Sequence, residues 1–302
     1  MPISRSMPQH FRLTVASDVY IRIILTHRCN NSCSYCFREA DKPEDGNLFE
    51  PLFFQELARV ADRHAISKIH FTGGEPLMDP SVVSYILDIT RKSCVSVGLT
   101  TNGRLLHLYA DRLFNSGLLG INISLPTLQP ERYRKICGSN GLKTVLLNID
   151  LALKIGFSPI KINVPLFSGN FDEITDFMEY FLPKEGIDLR FFSILPNDGV
   201  KEWDTLDPNQ VICHLDNSIE RLESWLRKEA LTRVYFRPPG RPSFKVCRDC
   251  GYKEFCLDQA KAIRIWKNGD VRLCLHNPDY TQRIEHPSEI SAVVSEMKEL
   301  CK

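Results

Sequence analysis

The chain has 302 residues, 43% hydrophobic and 25% charged, with a formal net charge of +1. That balance is ordinary for a globular protein, and it excludes a global field that would draw in nucleic acid or an anionic membrane. No apolar run approaches the ~20 residues of a membrane span, and residues 1–8 lack the apolar centre of a secretory signal. A cytoplasmic protein is expected, and there eleven cysteines point to metal or catalysis ahead of disulfides.

Residues 1–18 read as an N-terminal extension with no clear period. Strand-like apolar runs then follow at 20–26, 68–72, 95–100, 120–124, 160–165 and 189–195. Amphipathic, helix-like segments at 50–64, 81–91, 105–116, 142–155 and 171–182 lie between them. Asn170 is placed to cap a turn carrying Asp172 and Glu173, a favourable charge for a helix N-terminus. Strand–helix repetition with short connections argues for a parallel sheet with right-handed crossovers. The expected fold is an α/β partial (β/α)6 TIM-like barrel over residues 19–196, followed by a small C-terminal domain rich in cysteine. Residues 197–244 read as a linker with a helix over 208–226, and 245–302 as the cysteine-rich region.

In such sheets ligands gather at the C-terminal strand ends, and the chemistry-bearing residues fall there. Cys29, Cys33 and Cys36, at C-x3-C-x2-C spacing, follow the first strand. Gly73-Gly74-Glu75-Pro76 follows the second, Thr101-Asn102-Gly103 the third, and Ser124 ends the fourth. Three clustered thiolates suit one face of an iron–sulfur cluster, which in all-cysteine form takes four ligands, so one iron is left for something other than protein. A structural zinc site is the alternative, since zinc also takes cysteine in a tetrahedral shell.

With the strand context, these residues resemble the radical S-adenosylmethionine (SAM) superfamily. The resemblance implies that Cys29, Cys33 and Cys36 hold a [4Fe–4S] cluster whose open iron chelates SAM. It implies one-electron cleavage of SAM to a 5′-deoxyadenosyl radical, with the electron delivered by a donor such as flavodoxin or ferredoxin. Tyr35 and Phe37 place aromatic groups around the third cysteine, as in the superfamily. By the same resemblance Gly73, Gly74 and Glu75 meet the amino end of SAM, and Thr101, Asn102 and Ser124 line its site. Ser, Thr and Asn at strand ends also cap helices routinely.

A second cysteine set follows, Cys247-x2-Cys250-x5-Cys256-x17-Cys274. Between its last two members, residues 264–273 read as a hairpin turning at Asn268-Gly269, which brings Cys256 and Cys274 together. The arrangement resembles the Twitch module of radical SAM proteins, implying a second [4Fe–4S] cluster; structural zinc is again the alternative. Cys94, Cys137, Cys213 and Cys301 stand apart from both sets, and packing is the default role of such cysteines.

Residues 19–195 and 245–275 are similar to the GTP 3′,8-cyclase group of molybdenum-cofactor synthesis. That resemblance implies a nucleotide-like, phosphorylated small molecule held by Arg22, Lys161, Arg190 and Arg264, with Lys161 and Arg190 also acting in the reaction. Ala262 stands where that group carries a first arginine, and Met78-Asp79 where it carries basic side chains. Two other readings stay open: a radical SAM maturase acting on a peptide or protein, and a cluster-binding protein without catalysis.

Overall fold

The computed structural model describes residues 12–13, 19–36, 48–92, 94–194, 206, 208–237, 262–273 and 281–300. In chain order the elements are β1 (Arg12–Leu13), β2 (Tyr20–Ile24), α1 (Pro51–Arg63), β3 (Lys68–Thr72), α2 (Pro80–Lys92), β4 (Ser96–Thr101), α3 (Ala110–Asn115) and β5 (Ile121–Ser124). There follow α4 (Pro130–Cys137), α5 (Leu142–Ile155), β6 (Ile160–Leu166), α6 (Ile174–Phe181), β7 (Ile187–Ser193), α7 (Pro208–Arg221) and α8 (Ser224–Arg233). The last are β8 (Val234–Arg237), β9 (Ala262–Trp266), β10 (Asp270–Arg272), β11 (Thr281–Arg283) and α9 (Ile290–Leu300).

The strands form one sheet in the order β1-β8-β7-β6-β5-β4-β3-β2-β9-β10-β11. From β2 to β7 neighbours in sequence are neighbours in space and run parallel, as short strand–helix–strand crossovers require. This parallel α/β sheet is the architecture expected of a partial barrel. It is wider than the six expected strands. The alternation continues past residue 196: α7 and α8 lead into β8, which pairs parallel with β7, and Arg12–Leu13 of the N-terminal segment pairs with β8. The expected single helix over 208–226 is two, ending at Arg221 and restarting at Ser224.

At the other edge the Asn268-Gly269 hairpin forms as expected. β9 and β10 pair antiparallel, and Gly269 takes φ +90° where side-chain residues rarely go. β9 also lies parallel to β2, with Arg22 opposite Arg264 and Ile24 opposite Trp266. The hairpin thus continues the sheet beside the strand that leads to the first cysteines.

Along the strands, fully buried aliphatic residues alternate with half-buried polar ones. Ile21, Ile23, Ile162 and Leu189 join the main apolar core with helix residues such as Phe53, Leu57, Val145 and Phe177. Tyr20, Arg22, Lys161, Asn163, Asp188 and Arg190 take the alternate positions. The period of two therefore packs one face under the helices and turns the polar set into the interior.

Two local expectations change. Helix α4 was not expected. Pro130 at its first turn, Gly138 at φ +64° beyond its end and the inward spacing of Tyr133, Ile136 and Cys137 account for it. Asn170 does not cap through its side chain. Buried, it accepts from Phe167 N–H and donates to the carbonyls of Pro126 and Pro165, satisfying strand-end groups that would otherwise be stranded.

Candidate active site at the strand ends

The cysteine loop leaves β2 and is tied to the next two strand ends. Gly74 N–H donates to Thr26 O at 2.6 Å and Glu75 N–H to Arg28 O at 2.7 Å. A Cβ on Gly74 would overlap the carbonyls of His27 and Arg28, and one on Gly73 would meet Thr26 O. The glycines therefore let the two loops zip together, a closer reason for them than approach to a ligand.

Glu75 is fully buried. Its carboxylate accepts from Leu77 N–H at 3.0 Å, the Thr101 hydroxyl at 2.7 Å and Asn102 N–H at 2.6 Å. Burial raises its pKa, and these three hydrogen bonds pull the other way. Glu75 and Thr101, expected to meet SAM, are both buried; the Thr101 hydroxyl donates to Glu75 and accepts from Gly103 N–H at 3.0 Å. Asn102 carries the arrangement outward. Its side-chain amide donates to Asn30 Oδ1 at 2.6 Å, and its Oδ1 accepts from Arg104 N–H at 3.0 Å.

Arg104, which sequence reasoning missed, holds the loop from beneath by donating to the Asn30 carbonyl and to Asn31 Oδ1. Gly141 leaves room for it, since a Cβ there would strike the Arg104 side chain. Ser139 also donates to Asn31 Oδ1.

Cys29 and Cys36 are exposed and Cys33 half-buried. Burial raises the Cys29 thiol pKa, the Asn31 backbone lowers it, and Glu75, Cys33 and Cys36 raise it further, so the three sulfurs share one neighbourhood. Among the described residues no three His, Cys, Asp or Glu side chains converge on a single ion; a cubane instead places each thiolate on a different iron. Three neighbouring thiols on one strand-end loop fit such a cluster. Tyr35 packs near Cys33 and stacks on Phe167 with ring centroids 6.4 Å apart. Ser124 ends β5 half-buried, opposite Asn163 of β6. Phe37, Cys247, Cys250, Cys256 and Cys274 lie outside the described residues.

Within the strands the structure gathers three of the four expected cations and adds one. Burial lowers the Lys68 pKa from 10.5 to about 8, with Lys161, Arg190 and Arg22 lowering it further. Lys161 is lowered by burial and Arg190 and raised by Asp188. These residues come from β2, β3, β6 and β7 and feel one another across the interior. His70 lies among them, its pKa held well below the usual range by burial and by Lys68, Arg22, Arg190 and Lys161. Its Nε2 lies 2.7 Å from Thr100 Oγ1. Gly98 makes space for both, since a Cβ there would strike Lys68 and His70. An interior lined this way favours an anion. Arg264 neighbours Arg22 in register but is fully buried and donates to the carbonyls of Leu273 and Ala262. It is spent at least partly on holding the hairpin.

The radical SAM superfamily model matches residues 23–181. This chain belongs to the radical SAM superfamily. As a radical SAM enzyme it is similar to GTP 3′,8-cyclase of Alkaliphilus metalliredigens, 31% identical over 286 residues that cover 91% of this chain and 88% of that one. It is 33% identical over 265 residues to molybdenum cofactor biosynthesis protein 1 of Bos taurus, covering 85% of this chain and 41% of that longer protein. Among solved structures, SuiB of Streptococcus suis bound to S-adenosylmethionine shares the fold with a TM-score of 0.68 at 16% identity, over 92% of this chain and 66% of that one. Native anSMEcpe with bound AdoMet does so at a TM-score of 0.67 and 17% identity, over 93% and 80%. Membership of this superfamily implies a [4Fe–4S] cluster and SAM as cofactors. No helix among the described residues is long and apolar enough to cross a membrane.

Proposed function

We propose that this radical SAM enzyme acts on a phosphorylated nucleotide-like small molecule in a rearrangement of the GTP 3′,8-cyclase type. The observation that carries the reading is the interior group Arg22, Lys68, Lys161 and Arg190, four cations from four strands that, among the described residues, outnumber their one carboxylate neighbour, Asp188. Such crowding is costly without an anion, and phosphate oxygens accept charge-assisted hydrogen bonds from arginine and lysine. The likeness to the cyclases supports a nucleotide as the anion's owner.

In this reading Cys29, Cys33 and Cys36 hold the cluster, and the backbone of residues 73–75 with Asn102 and Ser124 borders the SAM site. With cluster and SAM bound, the chemistry supplied is one-electron cleavage of the sulfonium and hydrogen-atom abstraction from substrate. The chain's own part is placement. Glu75, Thr101, Asn102 and Arg104 set the cysteine loop, and the interior cations fix the phosphate end of the substrate. Lys161 and Arg190, from adjacent strands, are the basic pair assigned to the substrate during reaction. Cys247, Cys250, Cys256 and Cys274 are assigned a second [4Fe–4S] cluster in an auxiliary region spanning 245–302, beyond a barrel of 19–196.

The test is anaerobic reconstitution, reduction, and mass spectrometry of reactions with SAM and single nucleoside triphosphates. GTP-dependent 5′-deoxyadenosine with a cyclised nucleotide is expected. 5′-Deoxyadenosine formation that no nucleotide raises above the level with SAM alone would overturn the substrate reading.

A further inference from the structure

Cys137 closes α4 and is buried. The cysteine loop is fastened to it on both sides of Cys33. Ser32 N–H donates to the Cys137 carbonyl at 3.0 Å, and Ser34 N–H to the Ile136 carbonyl at 2.9 Å. The approach is close enough that a Cβ on Gly138, the next residue, would overlap the Ser32 hydroxyl. Cys33 is thereby turned inward, unlike its exposed neighbours Cys29 and Cys36, and its thiol meets that of Cys137. The loop is also steadied by Arg104 and Ser139 through Asn31, so the segment carrying Cys33 is fixed against the end of α4.

We propose that Cys33 and Cys137 form a reversible disulfide in the cluster-free chain, an oxidative modification site that withdraws one of the three cluster ligands. A small disulfide such as oxidised glutathione is the oxidant. The Cys33 sulfur attacks it and releases one glutathione thiol, leaving a mixed disulfide. The Cys137 sulfur then attacks Cys33 and releases the second. Two protein S–H bonds are replaced by one S–S bond, and the oxidant's S–S bond becomes two S–H bonds. A dithiol reductant reverses the exchange and returns Cys33 to the loop. The pair rests on the cluster reading only for its consequence, that the oxidised chain cannot take up its cluster.

The test starts with the full-length, cluster-free chain incubated anaerobically with oxidised glutathione. It is then alkylated, digested without reductant and mapped by mass spectrometry. A peptide pair joined through Cys33 and Cys137 is expected, with Cys29 and Cys36 alkylated. A disulfide among Cys29, Cys33 and Cys36, or glutathione retained on Cys33 beside an alkylated Cys137, overturns the proposal. A second arm measures iron uptake from ferrous iron and sulfide without added thiol. The oxidised wild type should fall short of the reduced wild type by about four irons, one cubane, and a dithiol reductant should restore them; C137S, which lacks the resolving thiol, should instead retain glutathione on Cys33. Equal uptake by oxidised and reduced wild type overturns the consequence. If reduced wild type takes up no iron while the Cys33–Cys137 link is mapped, the cluster reading fails and the disulfide stands.

Discussion

At the strand ends the polar groups around the cysteine loop are spent on other parts of the chain, whereas within the strands four cations press on one another. Glu75 has three donors, Asn102 bridges to Asn30, and Arg104 grips Asn30 and Asn31. Lys68 and Lys161 instead have their pKa values lowered by burial and by neighbouring cations, Arg190 acting on both and Arg22 on Lys68, with Asp188 opposing at Lys161. The rim is preorganised by its own hydrogen bonds, while the interior gathers like charges beside Asp188. A second carboxylate shows that the rim's device is general. Glu173, fully buried, accepts from the Thr127 hydroxyl and Leu128 N–H beyond β5, much as Glu75 does from Thr101 and Asn102 beyond β4. Glu173 adds an ion pair to Arg132 and makes no contact with the cysteine loop in this set of bonds.

Removing the thiols has the largest expected effect. The triple variant C29A/C33A/C36A should fall from about eight irons per chain to about four after anaerobic reconstitution, by iron and sulfide assay. It should form no 5′-deoxyadenosine.

Next in size are the two clamps, which separate fold from function at the rim. E75A strands a buried hydroxyl and two backbone N–H groups, and E173A strands the Thr127 hydroxyl and Leu128 N–H while leaving Arg132 paired with Asp172. Each should lose about 3 kcal/mol in urea unfolding. Only E75A should also slow cluster uptake, because only Glu75 leads through Asn102 to the cysteine loop. Equal slowing in both variants would erase the distinction.

In the interior the sign reverses. R190A and K161A should each weaken GTP binding about tenfold to a hundredfold by calorimetry, the loss of one charge-assisted contact. For K161A the ligand-free protein should become more stable, because burial and Arg190 disfavour the ammonium. A loss of stability instead would place Lys161 with the rim as a structural group.

The smallest effect is one of pH. Lys68 titrates at about 8 in the folded chain against 10.5 when unperturbed. Below pH 8 both forms are protonated and the folded state bears the full cost of the buried charge. Between pH 8 and 10.5 the unfolded chain binds more protons, so this group's contribution to stability rises with pH. GTP affinity should fall over the lower part of that range as Lys68 discharges. K68M should flatten both profiles, read by urea titration and calorimetry at a series of pH values.

Much of this was legible before the fold was known. The alternation of apolar runs and amphipathic segments placed β2 to β7 to within a few residues, because period and turn chemistry are local. Cys29, Cys33 and Cys36 were legible from spacing alone. Others were legible as residue types but not as partners. Glu75 read as a group for a ligand; that it also takes donors from Leu77, Thr101 and Asn102 could not be read. Arg264 read as one of four interior cations, yet the β9 edge position gave its donors to Leu273 and Ala262. Lys68 and Arg104 carried no signal, since nothing near them in sequence marks a barrel interior or the underside of a distant loop.

By itself the sequence determined a parallel α/β sheet and a three-thiol loop at its first strand end, both written in spacings of a few residues. Only the tertiary structure decided which charges share the interior and which thiol lies behind Cys33. Lys68 meets Arg190, and Cys33 meets Cys137, across more than a hundred residues. Those meetings depend on how the sheet curves and where α4 ends, which no local pattern encodes.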